Sequence, residues 1–408
     1  MLRLLTAGES HGRALVAIVE GLPAGLPITE DEIRGELARR RLGYGRGPRQ
    51  RFETDEIVIV GGVRHGRTLG SPVAIEIANA EWPKWQVEMS PEPGTPSRRL
   101  TQPRPGHADL AGMQKYGFDD ARDVLERASA RETAARVVAG ACAKALLARI
   151  GVAIVSHVVQ IGGAQATAGL RPQPADLPVV DASSVRCFDP SAEAEMIAEI
   201  RAAAKEGDSL GGTVEVAAYG VPVGLGSHVH WDRKLDGLIA HALMSIQAVK
   251  CVWIGEGIDV ARRRGSSGHD SIFFDASSGE YRRETSLAGG IEGGISTGGL
   301  LIAGAAMKPL ATLNRPVLKT VDIETKEETL SFKERTDVTS VPAMGVVAET
   351  MLALVLASAA LRKFGGDSVA ELTRNHASYL DEVRQEHWPS AAGRDGDVPP
   401  ASARPAGE

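Results

Sequence analysis

Gly8-Glu9-Ser10-His11-Gly12 is the first place where the chain could do chemistry. Glycines on both sides let the backbone turn sharply at a strand end and expose a hydroxyl and an imidazole. The GxSxG spacing of a serine-hydrolase elbow is absent. Arg104-Pro105-Gly106-His107-Ala108-Asp109 presents a second histidine on a Pro-Gly turn. A histidine titrates near neutral pH, so it can act as a general acid or donate to an anionic ring. Taken alone, a histidine in such a turn is more often structural.

Between these segments, Arg39 to Arg51 holds six arginines, three glycines and a proline in thirteen residues. Arginine suits a planar, bidentate grip on phosphate or carboxylate. The glycines let a backbone approach closely, which a merely solvated charged face would not need. Glu126-Arg127-Ala128-Ser129-Ala130-Arg131-Glu132 stands at the expected start of a helix, where free N–H groups and the dipole favour an anion. An ordinary capped helix start with surface arginines fits those residues equally well. Gly289 to Gly299 contains six glycines in eleven residues and leads into a strand and then Met307-Lys308-Pro309-Leu310-Ala311-Thr312. Such a backbone suits contact with a cofactor, but it is neither a dinucleotide fingerprint nor a P-loop. Lys333 to Thr339 adds Arg335 and Asp337 ahead of the last long helix; locally, Asp337 reads as an acid near a helix start.

The elements that must position these residues show in the periodicity. The spacing predicts helices over 29–41, 129–149 and 341–363. Thr29/Glu32 and Ser129/Glu132 stand at capping-box positions. Strands are predicted at 14–20, 56–60, 73–78, 152–161, 213–219 and 299–306. Residues 81–103 read as a long surface excursion, 262–286 as a loop or two-stranded flap, and 387–408 as a disordered tail. Gly21-Leu22-Pro23-Ala24-Gly25-Leu26 is echoed by Gly220-Val221-Pro222-Val223-Gly224-Leu225, each after a strand and before a helix. Glu126-Arg127 is echoed by Glu334-Arg335 ahead of a second Ala-rich helix. Two matches in the same order point to an internal duplication, with halves at about 1–150 and 207–365 inside one domain, 1–386.

Composition narrows the function. The chain has 408 residues, 43% hydrophobic and 24% charged, with a formal net charge of −6. An acidic chain with one aromatic, Tyr44, in its basic run is not expected to bind nucleic acid or an anionic membrane. No uninterrupted apolar run of membrane-spanning length is present. Cys142, Cys187 and Cys251 are far apart and show no metal spacing, so no metal site is expected and a cytoplasmic location is.

Taken together, these segments resemble the chorismate synthase family. The matching blocks are GESHG at 8–12, RRRLGYGRG at 39–47, RPGHAD at 104–109, KYG at 115–117, RASARETAARVVAG at 127–140, AHALMSIQAVK at 240–250, GGIEGGISTG at 289–298, MKPLAT at 307–312 and RTDVTSVPA at 335–343. They occur in the family's order across nearly the whole folded chain.

The resemblance implies an α+β fold, a β-α-β sandwich with an internal pseudo-twofold, assembled as a homotetramer. It implies a carbon–oxygen lyase that removes phosphate from 5-enolpyruvylshikimate-3-phosphate by anti-1,4-elimination, giving chorismate, with reduced FMN as cofactor. It makes His11 the acid that protonates departing phosphate, His107 the donor to reduced flavin, and Asp337 the acid near the flavin that returns the ring proton. Ser10, Arg40, Arg46, Arg49, Arg104, Ser129, Arg131 and Arg335 would hold the substrate. Arg127, Ala128, Ser129, Gln247, Ala248, Gly293, Lys308, Pro309, Leu310, Ala311, Thr312 and Arg335 would hold the flavin. Two positions depart from the family: Gln247 stands where Asn is usual, and Ala128 where a second Ser is common. No reductase domain is visible, so reduced flavin would come from an external flavin reductase, with NADPH involved only indirectly. The competing reading is a flavoprotein reductase that uses NADPH itself.

Overall fold

Strict alternation of apolar and outward-facing residues builds the first sheet. In the computed structural model, which describes residues 2–47, 54–97, 99–332 and 336–384, it contains β1 (Arg3–Ala7), β2 (Ala14–Glu20), β3 (Ile57–Gly61) and β4 (Val73–Ala78). The order is β1-β2-β4-β3, antiparallel throughout. Leu15, Ala17, Val19, Val73, Ile75 and Ile77 are buried on one face. Leu5, Ile18, Val58 and Val60 lie exposed on the other.

The second sheet contains β5 (Ala153–Ile161), β6 (Gly212–Tyr219), β7 (Val249–Ile254) and β8 (Leu301–Met307). Its order is β5-β6-β8-β7, also antiparallel, with the short strand Ala164–Gln165 beyond β5. β6 and β8 read as nearly continuous apolar runs because both of their faces are covered.

The main helices are α1 (Glu30–Arg40), α2 (Arg122–Ala128), α3 (Thr133–Ala148), α4 (Leu235–Met244) and α5 (Val341–Phe364). α3 packs on the first sheet, α5 on β5 and β6, and the two helices pack on each other. The architecture is α+β. By length and composition α5 could cross a membrane, yet 67% of its apolar window is buried inside the protein. A helix apolar on all sides is the expected core helix of a large domain.

The predicted strands all form, within one or two residues. Helix 29–41 forms as Glu30–Arg40 with its capping box intact. The other proposed box does not. Ser129 caps a 3₁₀ turn, Ala130–Glu132, by accepting from Arg131 N–H. The Glu132 carboxylate is instead claimed by Thr6, Arg136 and Gln247. The stretch 262–286 contains the antiparallel pair Ile272–Asp275 and Glu280–Arg283, the two-stranded alternative. The 81–103 stretch is mostly exposed, but it also carries a short helix, Trp82–Trp85, that reaches the candidate site. Arg49, Glu334, Arg335 and the 387–408 tail lie outside the described residues.

Small side chains set the spacing of the two central helices. A Cβ on Gly140 of α3 would stand 2.1 Å from Thr350 Cβ and 2.8 Å from Thr350 Cα on α5. Gly140→Ala gains about 1 kcal/mol of helix propensity but must push a helix backbone aside. Overpacking costs about 1–3 kcal/mol, here at the upper end because a Cα cannot swing away. A net loss of about 2 kcal/mol is expected, read as a lowered midpoint in chemical denaturation.

A buried ion network ties α1, α3 and α5 together. Glu349, fully buried, accepts from Arg39 Nη1 at 2.7 Å and Nη2 at 2.9 Å, and from Lys144 Nζ at 2.5 Å. It also accepts from Ser156 Oγ at 2.6 Å and Arg186 Nη2 at 3.1 Å. Arg39, first of the basic run, is therefore a core residue and not part of a ligand-wrapping loop.

Candidate active site

The turn between β1 and β2 sets out Ser10 and His11. Gly8 has φ +98, and a Cβ there would lie 2.2 Å from the Ala14 carbonyl oxygen, so only glycine permits this return. Ser10 N–H donates to the Glu126 carbonyl at 3.0 Å, which fastens the turn to α2. His11 Nδ1 lies 2.9 Å and 3.0 Å from the two Glu126 carboxylate oxygens, and its backbone N–H donates to the same group at 2.9 Å. Burial alone would raise the Glu126 pKa. The His11 contacts and the charge of Arg122 outweigh it and hold the carboxyl below its usual range.

Ser129, just past the end of α2, donates Oγ to Ser10 Oγ at 3.3 Å. One turn on, Arg131 is buried and donates Nε to Asn79 Oδ1 at 2.9 Å, with Nη1 on Asp55. Arg40, buried at the end of α1, donates Nε to Thr133 Oγ1 at 2.9 Å and Nη2 to the Ala130 carbonyl at 3.1 Å. Burial lowers the Arg40 pKa, and with the charges of Arg131 and Arg46 it outweighs the pull of Asp55 and Asp337, leaving the group at about 10. Arg46 Nε lies 3.1 Å from Asp337 Oδ2. Arg46 Nη1 is buried without a hydrogen-bond partner among the described residues. Asp337 also accepts from Gly47 N–H at 2.5 Å and Ser340 Oγ at 3.1 Å. It is not the N-cap of α5, since that position is Ser340. Three buried guanidinium groups that feel one another's charge, one with an orphaned donor, form a site for a multiply charged anion.

His107 stands in a second cluster. Its Nδ1 contacts Asp109 Oδ1 and lies 3.1 Å from Arg104 Nη2. Asp109, buried in the first turn after the Pro-Gly turn, accepts from Arg104 Nε at 2.8 Å. Burial opposes ionisation of Asp109, but the bonds from His107 and Arg104 win and push its pKa strongly down. Arg104 Nη1 donates to Thr312 Oγ1 at 3.2 Å, and Lys308 Nζ donates to the Gly106 carbonyl at 2.5 Å. The MKPLAT segment is thus fastened to the His107 turn; Ser209 Oγ holds the Leu310 carbonyl at 2.8 Å. Within that segment Pro309 is exposed, while Ala311 and Thr312 are half-buried.

Contacts run continuously from one histidine cluster to the other. Lys308 N–H donates to the Ala248 carbonyl at 3.0 Å. Beside Ala248, Gln247 Nε2 donates to Glu132 Oε2 at 3.1 Å. Glu132 also accepts from Thr6 Oγ1 at 2.9 Å. Thr6 Oγ1 and the Gly8 carbonyl in turn accept from Arg127, at 2.6 Å and 3.0 Å. Glu132 is ionised: burial raises its pKa, but Arg136, Gln247 and Thr6 lower it further. A carboxylate accepts only, so it takes the Gln247 amide N–H. The Gln247 oxygen must then face the other way, where it is buried without a partner among the described residues. Ala128 ends α2 between Arg127 and Ser129 and brings no hydroxyl. Gly293 forms the turn between Ile291–Glu292 and Ile295–Ser296, and no described hydrogen bond joins it to these clusters.

Four residues here carry no assignment from the sequence. Glu126 and Asp109 orient the two histidines, Trp85 stacks on His11, and Glu132 orients Gln247. Asp109 is legible in hindsight, two residues after His107; Glu126 lies 115 residues from His11 and sends no local signal. A cavity of about 720 Å³ is lined by Leu2, Leu4, Met351 and Leu354, with Thr6 and Glu132 at one wall and Arg136, Arg233, Arg362 and Lys363 also facing it. It contains neither histidine. The arginine-lined site is the better candidate, because orphaned polar atoms and converging charge mark chemistry where volume alone does not. Among the described residues no group of His, Cys, Asp and Glu is arranged to hold a metal.

Comparison with known proteins gives the family and the fold. The profile of the chorismate synthase family matches residues 2–361. A chorismate synthase of Salinispora tropica is 61% identical over 392 residues, covering 94% of this chain and 99% of that protein. One of Thermobifida fusca is 58% identical, covering 94% and 99%, and one of Mycobacteroides abscessus 56%, covering 94% and 95%. A crystal structure of chorismate synthase superposes with a TM-score of 0.75 at 40% identity, over 94% of this chain and 98% of the other. With family blocks, full-length identity and fold in agreement, the chain belongs to the chorismate synthase family.

Proposed function

We propose that the family's reaction, the anti-1,4-elimination of phosphate from 5-enolpyruvylshikimate-3-phosphate to give chorismate, takes place over the His11–Arg131–Arg46 cluster. The observation that carries this is the buried Arg46 Nη1, without a partner among the described residues, beside Arg40 and Arg131. Arg40, Arg46 and Arg131, with Arg49, Arg104 and Arg335, grip the phosphate and carboxylates; Ser10 and Ser129 supply hydroxyl contacts. His11 gives its proton to the phosphate as the C–O bond breaks. Asp337 is the carboxylate assigned to carry the ring proton away.

The residues present fit reduced FMN. The stranded Gln247 oxygen suits the N–H edge of a flavin ring, and Gln in place of Asn keeps that amide. Arg127 to Ser129, Gln247-Ala248, Lys308 to Thr312 and Arg335 would hold it, with Gly293 close by and His107 donating to its ring. When bound, reduced FMN supplies electron density to the substrate during C–O cleavage. NADPH enters only through a separate flavin reductase.

We assign a pseudo-twofold β-α-β sandwich to the fold, one domain over 1–386 with halves at about 1–150 and 207–365. The matching orders β1-β2-β4-β3 and β5-β6-β8-β7 support the duplication, though β5 (Ala153–Ile161) lies ahead of residue 207, so the second copy of the sheet begins before that half. The exposed apolar face of the first sheet, Leu5, Ile18, Val58 and Val60, supports a homotetramer. Three free cysteines support residence in the reducing cytoplasm.

An anaerobic assay with reduced FMN and the enolpyruvyl substrate tests the reading. Phosphate and chorismate should appear in equal amounts without net flavin oxidation. Arg46→Ala, which removes charge-assisted bonds worth about 1.5–3 kcal/mol, should lower kcat/KM by roughly 10–150-fold. Steady NADPH consumption without phosphate release would favour a reductase instead.

A further inference from the structure

Glu126 belongs to a closed ring of side chains around His11 that the assigned roles do not use. The two Glu126 oxygens lie along one edge of the imidazole, at 2.9 Å and 3.0 Å from Nδ1. One turn earlier on α2, Arg122 Nη1 donates to Glu126 Oε1 at 3.1 Å. Arg122 also lies over the Trp85 ring, 4.9 Å from its centroid. The Trp85 ring stacks on the imidazole at 4.2 Å, with 28° between planes. Glu88, from the same segment as Trp85, stands 3.7 Å from Arg122 Nε. His11 is therefore gripped on an edge by a carboxylate and on a face by an indole, and one guanidinium closes both grips. The carboxylate is 2% exposed.

We propose that Glu126 is the positioning residue for the acid of this enzyme: it fixes the His11 ring so that Nδ1 carries a hydrogen and proton exchange with the substrate's phosphate falls to Nε2. The proposal rests on the reading of His11 as that acid. The chemistry follows from what each group can do. An ionised carboxylate only accepts, so Nδ1 must donate to it. Stacking by Trp85 removes the ring's remaining rotation, and Arg122 keeps both neighbours in place. A purely structural reading has the Glu126 carboxylate tie the 8–12 turn to α2 by accepting the His11 backbone N–H at 2.9 Å, but the turn is also tied by the Ser10 N–H bond to the Glu126 carbonyl at 3.0 Å. That bond survives any side-chain change at the position.

Glu126→Gln, His11→Ala and the double variant separate the possibilities, each assayed anaerobically with reduced FMN and the enolpyruvyl substrate. Glu126→Gln keeps the shape but replaces the charge with an amide that accepts less strongly and can also donate. It should lower kcat by about 10–100-fold, by analogy with the loss of a group that orients a metal-bound histidine, and leave KM nearly unchanged. In the His11→Ala background the same change should lower kcat little further, because the ring it positions is gone and only the backbone N–H bond at residue 11 remains. Equal effects of Glu126→Gln in both backgrounds, or full activity of the single variant, would overturn the proposal while leaving His11 as the acid. A silent His11→Ala would remove the acid assignment itself. A second readout needs no turnover. In protein labelled with ¹⁵N-histidine, the His11 resonances, identified by their loss in His11→Ala, should show Nδ1 protonated, and Glu126→Gln should shift the ring toward a tautomer mixture. Ring resonances unmoved by Glu126→Gln would equally reject the role.

Discussion

His11→Ala is expected to lower turnover by about 10²–10⁴-fold, the range for losing a general acid, while the protein stays folded. The His11 side chain is 20% exposed, on a turn that other bonds hold: the Gly8 return, Ser10 N–H on the Glu126 carbonyl at 3.0 Å and Asn79 Nδ2 on the Gly12 carbonyl at 2.7 Å. These bonds do not involve the imidazole, and Glu126 keeps Arg122 as a partner, so the turn stays in place when the ring is removed. Its removal does cost the proton, since the neighbouring guanidinium groups stay ionised and cannot replace it. His107→Ala should fall in the same range for a different reason. Its ring is aligned by Asp109 next to Lys308 and Thr312, so its loss should weaken flavin binding as well as turnover. Circular dichroism and denaturation curves identical to the parent's, with rates reduced as stated, would meet the expectation. Unchanged rates in both variants would remove the assigned roles.

Glu349→Ala carries the largest expected effect on stability. It leaves Arg39, Lys144 and Arg186 in the core with their shared carboxylate gone, and breaking such a buried set costs about 3–5 kcal/mol. The denaturation midpoint should fall accordingly, with activity per folded molecule retained under conditions where folding persists. The same network sets an acid limit. Burial alone would disfavour the Glu349 carboxylate; Lys144, Arg39 and Arg186 outweigh that and hold its pKa well below the ordinary value. A depressed folded-state pKa contributes stability above the unfolded-state value, about 4.3. That contribution is lost as pH falls from there through the folded-state value. Stability of the parent should therefore drop on acidification below about pH 4.3, and Glu349→Ala should show a shallower drop. Parallel curves would assign the acid sensitivity to other groups.

Local patterns carried most of the fold. Period-two alternation in β2 and β4 and the apolar runs of β5, β6 and β8 are properties of short windows. The Thr29–Glu32 box is equally local, since donor and acceptor lie three residues apart. Where long-range partners compete, local reading fails. Glu132 stands at the correct offset from Ser129, yet Thr6, Arg136 and Gln247 take its carboxylate. Among Arg39, Arg40 and Arg46 nothing in the sequence distinguishes the one that faces Glu349, 310 residues away, from the two that face the anion site. Trp85 lies in a segment whose Pro, Ser and charge content reads as surface, and only the folded chain lays it on His11. The histidines and arginines of the site were legible as residue types in glycine-rich turns. The carboxylates that aim them were not, apart from Asp109, because their partners are joined only by the fold.

The account stands most directly on where the substrate's phosphate sits. A crystal structure of the complex with FMN and the enolpyruvyl substrate measures this. It should place a phosphate oxygen within about 3 Å of a His11 ring nitrogen and of Arg46 Nη1, with the flavin against Gln247 and the His107 turn. A phosphate bound in the 720 Å³ cavity between the first sheet and α5, away from both histidines, would contradict it.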